Sequence, residues 1–244
     1  HPSNMMLVVA GGVQAEDVMA LVRDNQAAKT FGPQREIRRF FPKEPPEVAR
    51  RTLTVRLPVS LPKCLLGFKE PQHNLEGRAL LERELCTKLV FDALFSPSSV
   101  QYQSLYDEHL ITDNFGYDYS IGTGYSFSML GGDTKDPDRL MERIREQLDE
   151  ALSNGIRAED FERSRRKKIG GFLRMLNSPE AIANQFTNYK LKGCDLFDVL
   201  PIYESLTLDQ ANERLRDHVR WERLAVSIVS NGPQAGDAAA SDRA

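Results

Sequence analysis

Residues 105–133, LYDEHLITDNFGYDYSIGTGYSFSMLGGD, limit the possible folds more than any other stretch of this chain. They read as a loop, a strand over 117–121, a tight turn through Gly122, Thr123 and Gly124, and a second strand over 125–130. A glycine-rich join of this length returns the chain antiparallel to itself, so the segment predicts a hairpin. An isolated hairpin is at best marginally stable in water. The rest of the chain must therefore supply further strands and a layer to cover them.

The flanking residues supply both. Leu53, Val55 and Leu57 alternate with Thr52, Thr54 and Arg56, which predicts a half-buried strand, and residues 63–68 predict a second one after Pro62. Residues 76–94 predict a long amphipathic helix with Leu80, Leu81, Leu85, Leu89 and Val90 on one side. Asp136 and Pro137 open a helix that ends at Gly155, another runs from near Ala158 to about Leu176, and Ser178 with Pro179 opens a third. Thr207 and Gln210 make a capping-box pair at the start of a last helix, and residues 224–229 predict a closing strand. The order predicts an α+β fold of the αβ-roll kind, a two-layer sandwich with helices packed on one face of a mostly antiparallel sheet.

The first residues follow a different pattern. Residues 5–10, MMLVVA, are apolar at every position, which predicts a strand covered on both faces. From Ala15 to about Asn25 a helix is predicted, with Glu16 and Asp17 in its first turn, where the helix dipole favours acids. A strand of that kind needs a sheet on either side. It is expected to belong to a sheet built elsewhere, which would leave it mobile here or paired with a second copy, the alternative being that it joins the main sheet. The expected division is residues 1–31 as the strand and helix that end a truncated first repeat, 32–47 as a Pro-rich linker, 48–231 as a complete second repeat, and 232–244 as a flexible tail.

Composition narrows the function. The formal net charge is −3, whereas duplex binders usually carry a basic excess, so no nucleic-acid partner is expected. No apolar stretch approaches the roughly 20 residues that span a bilayer, so no membrane partner is expected either. Cys64, Cys86 and Cys194 are odd in number and lack CxxC spacing, which points to buried thiols in a reducing compartment and a cytoplasmic location. Ser98 and Ser99 lack a GxSxG setting and read as a helix-end loop, Cys194–Asp195 reads as a structural turn, and Gly131, Gly132 and Asp133 read as a strand-end turn. The basic run Arg163, Arg165, Arg166, Lys167 and Lys168 reads as a solvated helix face. Phosphate contacts, or the lining of a path for an acidic substrate, are the alternatives.

Four stretches carry a resemblance. The opening HPSNMMLVVAGGVQAEDV, the strand entry Gly116–Tyr117–Asp118–Tyr119–Ser120–Ile121, the segment FLRMLNSPEAIANQF and SLTLDQAN resemble the C-terminal portion of an insulinase/pitrilysin-type (inverzincin) zinc peptidase of the bacterial YmfH-like branch. That resemblance implies two αβ-roll repeats per half, zinc in the first and a substrate-shaping surface in the second. The family motif HxxEH places two histidines four apart on one helix face. Here the residues four after His1, His73, His109 and His218 are Met5, Gly77, Asp113 and Glu222, so the chain has no such pair. His73, His109 and His218 read as polar surface residues. No catalytic or metal-ligating residue and no cofactor is expected in this chain, with zinc expected in the full-length protein.

The resemblance also implies a substrate-holding Tyr at the strand entry, matched by Tyr119, with Tyr117 beside it. Its usual Arg partner seven residues earlier is replaced by Thr112, so Tyr119 reads either as a substrate contact or as framework. The implied partners are the N-terminal catalytic portion of the same protein, a peptide substrate, and a second copy or paired family subunit. The alternative function is a non-catalytic assembly subunit of the same ancestry.

Overall fold

A computed structural model describes residues 1–34, 36, 38, 44–71, 74–122 and 124–232. Its strands are β1 (Thr52–Leu57), β2 (Lys63–Lys69), β3 (Gly116–Gly122), β4 (Tyr125–Asp133) and β5 (Leu224–Asn231). They form one sheet in the order β1-β5-β2-β4-β3. Every pairing is antiparallel except β1 with β5. The hairpin of β3 and β4 lies at one edge, with Tyr119 opposite Ser128 and Tyr117 opposite Leu130.

The helices are α1 (Ala15–Ala27), α2 (Gly77–Phe95), α3 (Val100–Asp107), α4 (Pro137–Asn154), α5 (Ala158–Met175), α6 (Pro179–Leu191), α7 (Val199–Ser205) and α8 (Leu208–His218). Asp136 caps α4 and Pro137 occupies its first turn, while Gly155 ends it with φ +80°, a conformation that favours glycine. Both arms of the Thr207–Gln210 capping box are made at α8. Central α2 buries thirteen of its nineteen residues, because sheet and helices surround it. The two-layer α+β arrangement is as expected.

The structure differs from the expected pattern at residues 131–133, at the added helix α3 and along β1. Residues 5–10 do not join the main sheet, so that alternative is not met, and Met5 and Leu7 are 77% and 70% exposed. Nor is any side chain buried among residues 1–34. Gly131, Gly132 and Asp133 are not a turn but the end of β4, paired with β2. A Cβ on Gly131, whose φ is +142°, would lie 2.0 Å from the Cys64 carbonyl oxygen, so close strand approach demands the glycine. Ser99 caps α3, a short helix that the sequence pattern does not announce, by accepting from the Tyr102 amide. Strand β1 is largely exposed rather than half-buried, being the outer strand beside β5.

The sheet has two unlike faces. Cys64, Leu66, Phe68, Leu130, Val226 and Ile228 point under the helices and are buried. On the opposite face Leu53, Leu65, Phe127 and Met129 are 42%, 42%, 36% and 39% exposed. All three cysteines are free and buried, and burial raises the thiols of Cys64 and Cys86 to about 11.

Candidate functional site

The most concentrated chemistry lies between the inner sheet face and helices α2 and α8. Glu70 follows β2 directly and its amide bonds to the Ser126 carbonyl. Alternation along β4 turns Ser126 and Ser128 inward with Leu130, leaving two hydroxyls in an apolar layer. Helix α8 contributes Arg214 and His218, four residues apart and therefore on one face, alongside buried Ala211 and Leu215. Side chains of β3, β4, α2 and α8 converge on the Glu70 carboxylate.

Glu70 accepts from five side chains. The Tyr119 hydroxyl donates to it at 2.8 Å, His218 Nδ1 lies at 2.6 Å and Arg83 at 3.3 Å, and Ser126 and Arg214 complete the set. Arg214 also donates to Thr87 at 2.7 Å and to Asp217 at 2.6 Å. Burial alone would raise the Glu70 carboxyl, but the His218 hydrogen bond and the Arg214 charge outweigh it and hold the group far below the usual carboxylate range. For His218, burial dominates and lowers the pKa, with Arg214 and Arg83 adding to it against Glu70. A neutral imidazole then donates from Nδ1 to Glu70 and accepts at Nε2 from the Ser128 hydroxyl, 2.6 Å away.

Ser128, His218 and Glu70 thus have the spacing of a nucleophile–base–acid relay. Burial denies it a substrate. Ser128 is 0% exposed, His218 1% and Glu70 3%, so nothing outside the fold reaches the hydroxyl. The cluster ties β2, β3 and β4 to α2 and α8.

A second cluster surrounds Asp92 of α2. Tyr117 donates its hydroxyl to this carboxylate, and Lys167 and Lys168 of α5 stand 3.0 and 3.1 Å away. Burial, then the bond to Asp92, pushes the Tyr117 phenol far up, so it remains a donor. The basic run is therefore largely engaged. Arg163 pairs with Asp160 and Arg165 with Glu162, leaving Arg166 without an acidic partner among the described residues.

Several sequence-derived site readings meet this geometry. Tyr119 is 2% exposed, with its hydroxyl on Glu70 and Arg214, and Tyr117 is partly buried with its hydroxyl on Asp92. The Thr112 hydroxyl bonds to Asn114. His218 is a buried member of the cluster and not a surface residue, because α8 turns it inward with Ala211 and Leu215. His109 is exposed, and His73 lies outside the described residues. Glu70, Arg214 and His218 were not marked by their local sequence as a group, although positions 211, 214, 215 and 218 share one helical stripe that carried a signal.

Zinc does not fit here. Among the described residues no group of three or more His, Cys, Asp or Glu gathers to hold a metal ion. The Glu70–His218 pair already faces Arg214, whose fixed charge opposes a cation.

Residues 1–168 match the family model described as the peptidase M16 inactive domain. The chain belongs to this family. The M16 inactive domain here is 42% identical over 229 residues to the uncharacterized zinc protease YmfH of Bacillus subtilis (strain 168), covering 94% of this chain and 53% of that protein. An M16-like chain from Alicyclobacillus acidocaldarius superposes with a TM-score of 0.91 at 36% identity, covering 95% of this chain and 55% of the other. A protease from Helicobacter pylori shares the fold at a TM-score of 0.77 and 17% identity, over 91% of this chain and 53% of its own. This M16 inactive domain thus spans about half the length of the relatives it matches, and the implied relation to the YmfH-like branch holds. Family membership places it in an architecture that joins catalytic and non-catalytic domains. Among the described residues no helix is long and apolar enough to cross a membrane.

Proposed function

We propose that this domain holds unfolded peptides for a zinc-dependent peptidase centre carried by the N-terminal portion of the full-length protein. One observation carries the reading. The strand that bears Tyr117 and Tyr119 is the outer strand of the sheet, so half of its backbone donors and acceptors face away from β4 and can accept an added strand. Backbone pairing needs no particular sequence, which suits unfolded substrates. The bound chain runs along β3 near Tyr117 and Tyr119, whose hydroxyls tie that strand to Asp92 and Glu70.

The catalytic portion contributes the zinc, and residues 1–31 complete its repeat, with 32–47 as the linker and 48–231 as the holding domain. It covers the outer sheet face, where Leu53, Leu65, Phe127 and Met129 are partly exposed. Three unpaired thiols support a reducing, cytoplasmic setting.

The test is hydrogen exchange on the full-length protein, together with its zinc content and its hydrolysis of an unfolded peptide. Added peptide should slow exchange at Gly116–Gly122 more than in the other strands. Unchanged exchange there would end the edge-strand reading. A second reading, a non-catalytic assembly subunit, is favoured by the internal bonds of Thr112 and Tyr119, which aim neither hydroxyl at an outside ligand. A full-length protein that binds no zinc and hydrolyses no peptide would establish that alternative.

A further inference from the structure

The second half of helix α5 and all of α6 pack against the core through side chains that are only partly buried. The buried residues of α5 are Asp160, Phe161 and Ser164, all in its first half, and α6 has none. Between these helices, α2 and α7 lies a groove of about 650 Å³. Phe172, Met175, Tyr189, Leu196 and Tyr203 give it an apolar lining, and Lys88, Arg166, Lys167, Lys168 and Arg174 give it five cations with no acid among the lining residues. Two carboxylates beneath, Glu84 and Asp92, pair with Lys88, Lys167 and Lys168. Among the described residues Arg166 and Arg174 have no acidic partner.

The charge is local. Residues 163–192 contain eight Lys or Arg against one acid, Glu180, in a chain whose net charge is −3. A concentrated positive field on an acidic protein attracts an anionic ligand to this place and not to the surface at large.

Gly170 and Gly171 add a second, independent observation. They lie inside the second half of α5, where each costs about 1 kcal/mol relative to alanine. A Cβ built on either meets nothing within 4 Å, so no neighbour inside the chain requires their small size. They leave a strip of bare helix backbone between the two free arginines. Arg166 and Arg174 are eight residues apart on one helix, which separates them by about 12 Å along the axis. In an extended peptide, residues four apart are separated by about 13 Å.

We infer that this groove binds an extended acidic peptide segment, with carboxylates about four residues apart on Arg166 and Arg174, apolar side chains on Phe172, Met175 and Tyr189, and its backbone against Gly170–Gly171. The inference rests on the peptide-holding reading and names a substrate class for it. A nucleic acid fits less well, because the aromatic rings here are partly buried in the lining and offer no exposed faces for base stacking.

The experiment measures fluorescence anisotropy of labelled twelve-residue peptides with the full-length protein. One peptide carries Glu at every fourth position among Leu and Ala, the other Lys at the same positions. The acidic peptide should bind at least tenfold more tightly. Arg166→Glu with Arg174→Glu should erase that preference, and Arg166→Gln with Arg174→Gln serves if the reversal does not fold. Gly170→Ala with Gly171→Ala should weaken acidic-peptide binding at least threefold while the melting temperature holds or rises, an outcome that a damaged fold does not produce. Equal affinity for the two peptides, or charge variants that change nothing, would overturn the inference while leaving the peptide-holding reading in place. Tighter binding of a single-stranded RNA oligonucleotide or of phosphatidylserine vesicles through the same arginines would also overturn it. If neither peptide bound, both readings would fail.

Discussion

Five strands build both faces of the sheet, and the two faces differ in how far they are covered. Under the helices, alternating residues of β2, β4 and β5 bury Leu66, Phe68, Leu130 and Val226 around Glu70 and its five donors. On the other side, neighbouring positions of the same strands leave Leu65, Phe127 and Met129 more than a third exposed. The inner face is sealed, its polar cluster included, whereas the outer face leaves large apolar side chains partly in water, and the latter is what solvent exposure alone would select against. The difference teaches that the inner face is finished by groups within this chain, each charge having found its partner, whereas the outer face has the composition of an interface.

The largest effect expected from that contrast follows removal of one inner charge. Arg214→Met leaves Glu70 buried without its closest guanidinium, and breaking a buried pair in this way costs about 3–5 kcal/mol. For a domain of this size that lowers the melting temperature by about 10 °C. Urea denaturation reads the free energy directly. A loss below about 1 kcal/mol, the scale of an exposed pair, would mean that the Glu70 cluster is wetter than its burial implies.

How much of this contrast the sequence announces depends on distance along the chain. The hairpin of β3 and β4 and the capping box of Thr207 and Gln210 were legible because their determinants lie within a few residues of each other. The Tyr119 position was legible as notable, but not the direction of its hydroxyl. Glu70 and Arg214 are 144 residues apart, and no local pattern states that they meet. The same limit explains Gly131 and Gly132, which look like turn residues by composition and are strand residues because the Cys64 carbonyl and the Phe115 backbone come close to them. Residues 5–10 show the converse. Their apolar run states a need for a sheet, and the described residues hold no edge that meets it.

A smaller effect separates His218 from its carboxylate partner. Its pKa is lowered from the ordinary 6.5 in the folded chain, so below that value the unfolded chain binds a proton that the folded chain refuses. Stability therefore falls as pH drops below about 6.5, by up to about 1.4 kcal/mol for each unit of depression. Glu70, also lowered, keeps its full contribution above its ordinary 4.5 and loses it only as pH falls further. His218→Gln retains a donor toward Glu70 but removes the titration. Its stability should be flat between pH 7 and 5, where the parent declines, and both should decline below 4.5. Parallel curves across pH 7 to 5 would show that the imidazole is not the group held neutral.

The smallest effect is expected on the open face, and it sets the scale for the others. Leu65→Ser and Met129→Ser alter side chains that are 42% and 39% exposed, so each should change the stability of this chain by no more than about 0.5 kcal/mol. The same two substitutions in the full-length protein should cost more, because there the proposed catalytic portion removes Leu65 and Met129 from water and serine loses that burial. The comparison is made by urea denaturation of the 244-residue chain and of the full-length protein, each with and without the substitutions. Equal small losses in both would leave the apolar face uncovered and remove the reason for assigning it to the upstream portion. A loss above about 1 kcal/mol already in the short chain would place the two side chains in a packed layer and end the distinction between the faces.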